Sequence, residues 1–380
     1  MTVGDTIWKH IRDGQAPTPG NVAALARHDA AVLGEDRAKE LRERLSADVL
    51  GAGPLEDLLA ESGVTDVLVN GTAGVWIDRG SGLHRSQVEV GDAETVRRLA
   101  VRLAGVAGRR LDETSPYVDG LLPGGVRLHA VLPPLVDGAA HISLRIPQRD
   151  RPDLEALHGW GAVDDVGVAA LRRLVRARQA FVISGGTGSG KTTLLGALLR
   201  EVEADERIVL VEDVRELQVA HPHVVRLEAR APNVEGRGEV GLSTLVRQCL
   251  RMRPDRLVVG EVRGAEVREL LSALNTGHEG GCGTVHANAS SDVVARFEAL
   301  GALGGMSPQA VRTQLASAIS VVVHLRRVAG LRQVSEIGVL TRDDGRVEVT
   351  PGLVRRGAGL VPGPAWDELR ARLALDGDPC

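Results

Sequence analysis

The chain has 380 residues, 43% of them hydrophobic and 25% charged, a composition typical of a soluble globular protein with room for two domains. Its net charge of −4 excludes a general attraction to nucleic acid, and 2% aromatics excludes a base-stacking platform for single strands. No stretch approaches the roughly 18 uninterrupted apolar residues of a membrane helix.

Residues 1–50 read as a polar, helical extension broken at Pro17-Thr18-Pro19-Gly20, and the charged start lacks a signal-peptide core. In Ala38–Leu50, Leu41, Leu45, Val49 and Leu50 share one helical face, and Gly51-Ala52-Gly53-Pro54 ends the helix. An α+β domain follows over 51–146. Its expected strands are Val64–Val69, Gly74–Ile77, Gly125–Val131 and His141–Ile146, with a helix at Ala93–Ala107. The run Pro147-Gln148-Arg149-Asp150-Arg151-Pro152 marks a linker over 147–155.

Strand and helix then alternate. Helices are expected at 165–177, 191–203, 242–252, 264–275, 291–303 and 307–319, and strands at 180–184, 207–211, 224–228, 256–260 and 283–286. This pattern over 156–350 predicts an α/β domain with a mainly parallel, doubly covered sheet. Residues 320–349 read as a small hairpin-rich layer with a turn at Asp343-Asp344-Gly345, and 351–380 as a tail with a short helix near 365–374.

The segment Gly185-Gly186-Thr187-Gly188-Ser189-Gly190-Lys191-Thr192-Thr193 fits G-x-x-x-x-G-K-[ST], between a strand and a helix. Glycines let successive N–H groups turn toward an anion, and the helix N-terminus adds partial positive charge. Lys191 is expected on the β/γ-phosphates of ATP and Thr192 on Mg2+. Only Lys9, Lys39 and Lys191 are lysines among 46 basic residues, so position 191 asks for a compact ammonium where the chain otherwise uses arginine. The dinucleotide motif G-x-G-x-x-G cannot be placed here.

Two later apolar strands end in acids, Glu212-Asp213 and Glu261. In an open parallel sheet ligands sit beyond the strands' carboxyl ends. One carboxylate would orient or deprotonate the attacking water, and another would hold the metal's water shell, with Asp213 or Glu261 as candidates. The glycine-rich segment from Thr276 to Asn288 carries His278 and His286 and reads as a loop that reports the γ-phosphate. No acid or thiol constellation makes these histidines a metal site. Cys249, Cys282 and Cys380 stand far apart without zinc spacing, as expected of thiols in a reducing, cytosolic compartment. Action at a membrane would then need a recruiting partner.

Four segments in order resemble the type II/type IV secretion ATPase superfamily: the P-loop (Walker A), Val211–Leu217 (Asp box), Leu250–Glu266 (Walker B) and the histidine segment (His box). The likeness is nearest to the CpaF/TadA-type ATPases of tight-adherence (Flp) pilus assembly. Val126–Pro134 and Ile142–Ile146 are similar to that family's N-terminal domain, and the resemblance spans about 50–340.

It implies a RecA-like P-loop core preceded by a smaller, PAS-like α+β domain. It also implies a homohexamer at the inner face of the cell membrane, beside a polytopic platform protein; the net charge and scarce aromatics argue against direct nucleic-acid contact. Arg127 and Arg145 match arginines that reach phosphates, partly from a neighbouring subunit; by themselves they read as strand-end arginines with solvated heads. Two features depart from expectation: Gly260 stands where a P-loop enzyme usually has a metal-binding aspartate, a trait the family shares, and Cys282-Gly283 where the family often has bulkier residues. The implied function is an ATP-hydrolysing motor for pilin assembly or protein secretion. The alternatives are a conjugation-type ATPase beside a DNA-transfer pore, and a nucleotide-gated scaffold with little hydrolysis.

Overall fold

The computed structural model describes residues 51–80, 82–147, 152–230, 237–277, 279–343 and 346–375. The expected helical extension, the centre of the linker, His278, the turn residues Asp344-Gly345 and Cys380 lie outside them. The chain divides between residues 149 and 150 into two compact units.

In the first unit a short helix, α1 (Glu56–Ala60), precedes strands β1 (Asp66–Asn70), β2 (Val75–Asp78) and β3 (Leu83–Arg85). Helix α2 (Ala93–Val106) follows, then β4 (Tyr117–Leu121), β5 (Arg127–Val131) and β6 (His141–Arg145). The strands form one antiparallel sheet in the order β3-β2-β1-β6-β5-β4. Helix α2 starts because the Asp92 side chain accepts from Thr95 N at 2.8 Å, capping an otherwise unpaired donor. Its buried stripe, Val96, Leu99, Ala100, Leu103 and Ala104, recurs at helical spacing and joins the core with Leu128, Ile142 and Leu144. Burying each of its leucines contributes roughly 1.5–3 kcal/mol. Strands β3 and β4 are not among the expected ones: β3 is exposed throughout and β4 buries only Val118, so neither carries an alternating apolar signal.

The second unit opens with α3 (Leu154–Gly159), α4 (Asp165–Arg176), β7 (Phe181–Gly185), α5 (Lys191–Leu199), β8 (Ile208–Glu212) and β9 (Val224–Glu228). It continues with α6 (Leu242–Cys249), β10 (Arg256–Val262), α7 (Val267–Leu274), β11 (Cys282–His286), α8 (Val293–Leu303) and α9 (Pro308–Ala318). Strands β12 (Val321–Val328), β13 (Leu331–Asp343), β14 (Arg346–Arg356) and β15 (Gly359–Pro362) lead to α10 (Trp366–Leu373). Among the described residues of this unit, nine strands form one sheet, ordered β15-β14-β13-β12-β7-β11-β10-β8-β9. Neighbours from β12 to β9 pair in parallel, and the other pairs are antiparallel.

The central strands are buried on both faces. Phe181, Ile183, Ile208 and Leu210 pack with residues of α3, α4, α5 and α10, while Val182, Val209 and Val211 pack with those of α6 to α9. Two expectations fail here. Residues 320–349 do form the expected hairpins, β12 with β13 and β13 with β14, but not a small layer of their own, because the buried run Val321–Leu325 pairs in parallel with β7 and extends the main sheet. Residues 351–375 do not form a loose tail: β14 and β15 are hydrogen-bonded into the sheet, and the expected short helix is present as α10, with Leu369 and Leu373 fully buried. At the amino end of β10, Arg256 is 2% exposed and forms a two-point pair with Glu206, Nε to Oε2 at 2.6 Å and Nη2 to Oε1 at 3.1 Å. Burial raises the Glu206 pKa, but Arg256 and Arg178, the latter 3.2 Å away, together outweigh that and leave it lowered. Cys249 and Cys282 are buried free thiols, pushed by burial up to about 12.

Candidate nucleotide-binding site

Beyond Gly185, the last residue of β7, the glycine-rich loop turns into α5, whose N-cap Gly190 is left-handed at φ 97°. The N–H groups of the first helical turn have no partner within the helix, so Lys191, Thr192 and Thr193 open on an anion-binding end. Lys191 is 9% exposed and folds back over the loop, its Nζ donating to Gly185 O at 2.9 Å and Gly186 O at 3.0 Å. Burial lowers its pKa; the charges of Glu261 and Glu216 act against that, and Arg263 adds to it. Ser189 is 3% exposed, and its buried Oγ has no hydrogen-bond partner. An orphaned hydroxyl, a buried ammonium and a run of amides on one glycine-rich turn fit the phosphate chain of a nucleotide.

The acids converge on this end of the sheet. Glu212 closes β8 at 5% exposure, and its Oε1 accepts from Glu216 N at 3.0 Å and Leu217 N at 2.8 Å. Burial raises its pKa against those two hydrogen bonds. The same side chain explains Gly260: a Cβ there would stand 2.8 Å from Glu212 Cγ. Strand β10 therefore carries no side chain beside Glu261 because β8 supplies a carboxylate to that space. Glu261 Oε2 pairs with Arg263 Nη2 at 2.5 Å, which raises the Arg263 pKa. Glu266 Oε1 caps the turn after β10, accepting from Arg263 N at 2.6 Å and Gly264 N at 2.8 Å.

Asp213 is exposed and lines a cavity of about 330 Å³ with Arg263, Glu266 and the start of α6. Among the described residues no group of three His, Cys, Asp or Glu side chains could hold a metal. The donors available, the Thr192 hydroxyl and strand-end carboxylates, fit Mg2+ held mainly by phosphate oxygens and water.

His286 ends β11 directly opposite Gly185 in the parallel register, which sets the histidine segment beside the P-loop. Thr284 Oγ1 donates to Gly260 O at 2.7 Å, tying β11 to the Walker B strand where their register shifts. A Cβ at Gly283 would meet Val259 O at 2.8 Å, so this close approach requires glycine; Cys282 beside it is an ordinary core residue. Arg127 and Arg145, in the first unit, are directly opposite each other on β5 and β6, and Arg145 Nε donates to Asp66 Oδ1 at 2.9 Å.

Several site residues escape a reading of the sequence. Arg263 stands two positions after Glu261, a spacing that puts both on one face of an extended segment and is readable in principle. The fully buried pair Ser184 Oγ and His324 Nδ1, 2.8 Å apart beneath the loop, joins residues 140 positions apart and leaves no local signal. Burial lowers the His324 pKa.

Residues 48–348 match the model of the type II/IV secretion system protein family. A Mycobacterium tuberculosis protein named for conjugal transfer is 52% identical over 349 residues, spanning 90% of this chain and 99% of its own length. The conjugal transfer protein TrbB of Rhizobium radiobacter is 33% identical over 286 residues, 73% of this chain and 84% of its own. The solved ATPase DotB of Legionella pneumophila superposes with TM-score 0.54 over 76% of this chain and 79% of its own, at 20% identity, a likeness of fold. With the P-loop, the acids and His286 assembled at one end of the sheet, these matches identify the chain as a member of the type II/IV secretion system protein family.

Proposed function

We propose that the chain hydrolyses ATP as a homohexameric motor at the inner face of the cell membrane, driving pilin assembly or protein secretion through a polytopic platform protein. The observation that carries the reading is Lys191, buried in its own glycine-rich loop with its Nζ on the Gly185 and Gly186 carbonyls and within the field of the Glu261 charge. An ammonium so placed needs an anion to compensate its burial, and a triphosphate supplies one.

In this reading the amides from Gly186 to Thr193 and the Lys191 ammonium hold the phosphates. Glu261 turns from Arg263 to take the proton of the attacking water as the β–γ phosphoanhydride bond breaks, giving ADP and phosphate. Glu212, fixed by the 216 and 217 amides, keeps the water network oriented, and His286 senses the γ-phosphate beside Gly185. Mg2+, held by Thr192 with help from Asp213 or Glu261 through water, would neutralise phosphate charge. Arg127 and Arg145, paired across β5 and β6, offer two guanidiniums to the phosphates, partly from a neighbouring subunit.

A conjugation-type ATPase beside a DNA-transfer pore is the second reading, and the names of the relatives at 52% and 33% identity favour it. The tight-adherence assignment rests on the motif likeness. Among the described residues no helix is long and apolar enough to cross a membrane. Phosphate release by the purified chain is the test. Lys191→Ala should abolish ATP binding, and Glu261→Gln should bind ATP yet stop turnover. Wild-type turnover in Glu261→Gln would remove that residue from the chemistry, and absence of turnover in the wild type would leave the scaffold reading.

A further inference from the structure

The outer side of the P-loop is gripped by an arginine that belongs to none of the four boxes. Strands β12 and β13 meet in a two-residue turn at Ala329 and Gly330, both left-handed at φ 49° and 86°, with Val328 and Leu331 as the closing pair. Such turns match the natural twist of paired strands and fix the register of the two strands they join. Arg332 is the next residue, opposite Arg327. Its Nε donates to Gly188 O at 3.0 Å, across 144 positions of sequence. Its stem runs along the loop, with Cδ 3.4 Å from where a Cβ on Gly190 would be. The strand beneath is tied down by Gln333 Nε2 on Gly161 O at 3.4 Å and Ser335 Oγ on His324 O at 3.0 Å.

A loop that turns its amides inward to an anion turns carbonyls outward; at exposed Gly188 water could serve that carbonyl, but only a fixed donor such as the Arg332 Nε holds its direction. Gly188 is at the middle of this loop and left-handed at φ 69°, where a peptide without a side chain can rotate most freely. We propose that Arg332 is a positioning residue for nucleotide binding: it fixes the Gly188 peptide so that the neighbouring amides face the phosphates. The inference rests on the nucleotide site proposed above. It assigns the hairpin, absent from the motifs, the task of pre-organising that site, so the loss should fall on affinity more than on the chemical step.

The test compares Arg332→Ala, Arg332→Gln and Arg332→Lys in the full chain, by titration with a fluorescent ATP analogue and by steady-state phosphate release. Arg332→Ala should raise both the Kd and the KM for ATP about three- to tenfold, with kcat changing far less. Gln and Lys, which keep a donor able to reach a carbonyl, should each recover part of the loss. Unchanged Kd and KM in Arg332→Ala would overturn the proposal. Recovery by Lys but not Gln would overturn it too, because the residue would then act on phosphate through its charge. A parallel fall in kcat and melting temperature without a change in KM would mark a structural role and refute it. Lys191→Ala separates the two levels: retained binding there sinks the nucleotide site itself, while lost binding there with normal Arg332→Ala sinks only this inference.

Discussion

Gly260 is the position where a change that looks like an improvement should do harm. Replacing it with aspartate would restore the usual acid before Glu261, yet even the Cβ of alanine would sit 2.8 Å from Glu212 Cγ, 3.4 Å from Oε1 and 3.5 Å from Cδ. Glu212 cannot yield freely, because it is 5% exposed and held by the amides of Glu216 and Leu217. Gly260→Ala therefore has the character of overpacking, about 1–3 kcal/mol. Gly260→Asp adds a second carboxylate beside a buried one whose pKa burial already raises, and displacing Glu212 from its two amides costs further. For a unit of this size each kcal/mol lowers the melting temperature by about 2–4 °C. Thermal unfolding and phosphate release should show both variants less stable and less active, aspartate the worse. The decisive comparison is the cycle with Glu212→Ala, which empties the contested space: Gly260→Ala should then be nearly neutral, a coupling of about 1 kcal/mol or more. Additive effects, or a Gly260→Asp enzyme at wild-type stability and rate, would refute the steric account.

Three other outcomes are expected. Arg256→Met leaves buried Glu206 with only the half-exposed Arg178, whose Nη2 is 3.2 Å from Oε2, and should destabilise the second unit by about 1–3 kcal/mol in urea unfolding, part of it recovered in Arg256→Met/Glu206→Leu; equal stability of both would show that the pair is not isolated from water. Because burial lowers the Lys191 pKa, its charge is lost at a lower pH than a free lysine's, so ATP affinity should decline as pH rises through that depressed value, with proton uptake on binding. An affinity flat to about pH 10 would contradict it. Arg145→Ala should slow turnover, and mixing it with Glu261→Gln protein should restore part of the rate; no recovery in mixtures would confine the arginine's action to its own subunit.

How legible the molecule is depends on how far apart the cooperating residues lie. The P-loop is contiguous, so its strand, turn and helix start are readable, and the strand expected at 224–228 coincides with β9. The strand-end acids are legible from apolar runs that stop at a charge. What sequence conceals is set by sheet register: Gly260 makes sense only once β8 brings Glu212 against it, and Arg332 meets Gly188 only because β12 pairs with β7. The residues from 320 onward show a local hairpin pattern, and that pattern does not reveal that Val321–Leu325 completes the parallel sheet. Strands β3 and β4 escape for a simpler reason, having almost no buried side chains to set a period.

The central claim is that the glycine-rich turn before α5 is a phosphate cradle. A crystal structure of the full chain with Mg2+ and a non-hydrolysable ATP analogue addresses it most directly. The account predicts the β- and γ-phosphates on the amides of residues 186–192, with Lys191 Nζ moved from the Gly185 and Gly186 carbonyls to the phosphate oxygens. Analogue bound elsewhere, with Lys191 still on those carbonyls, would contradict it.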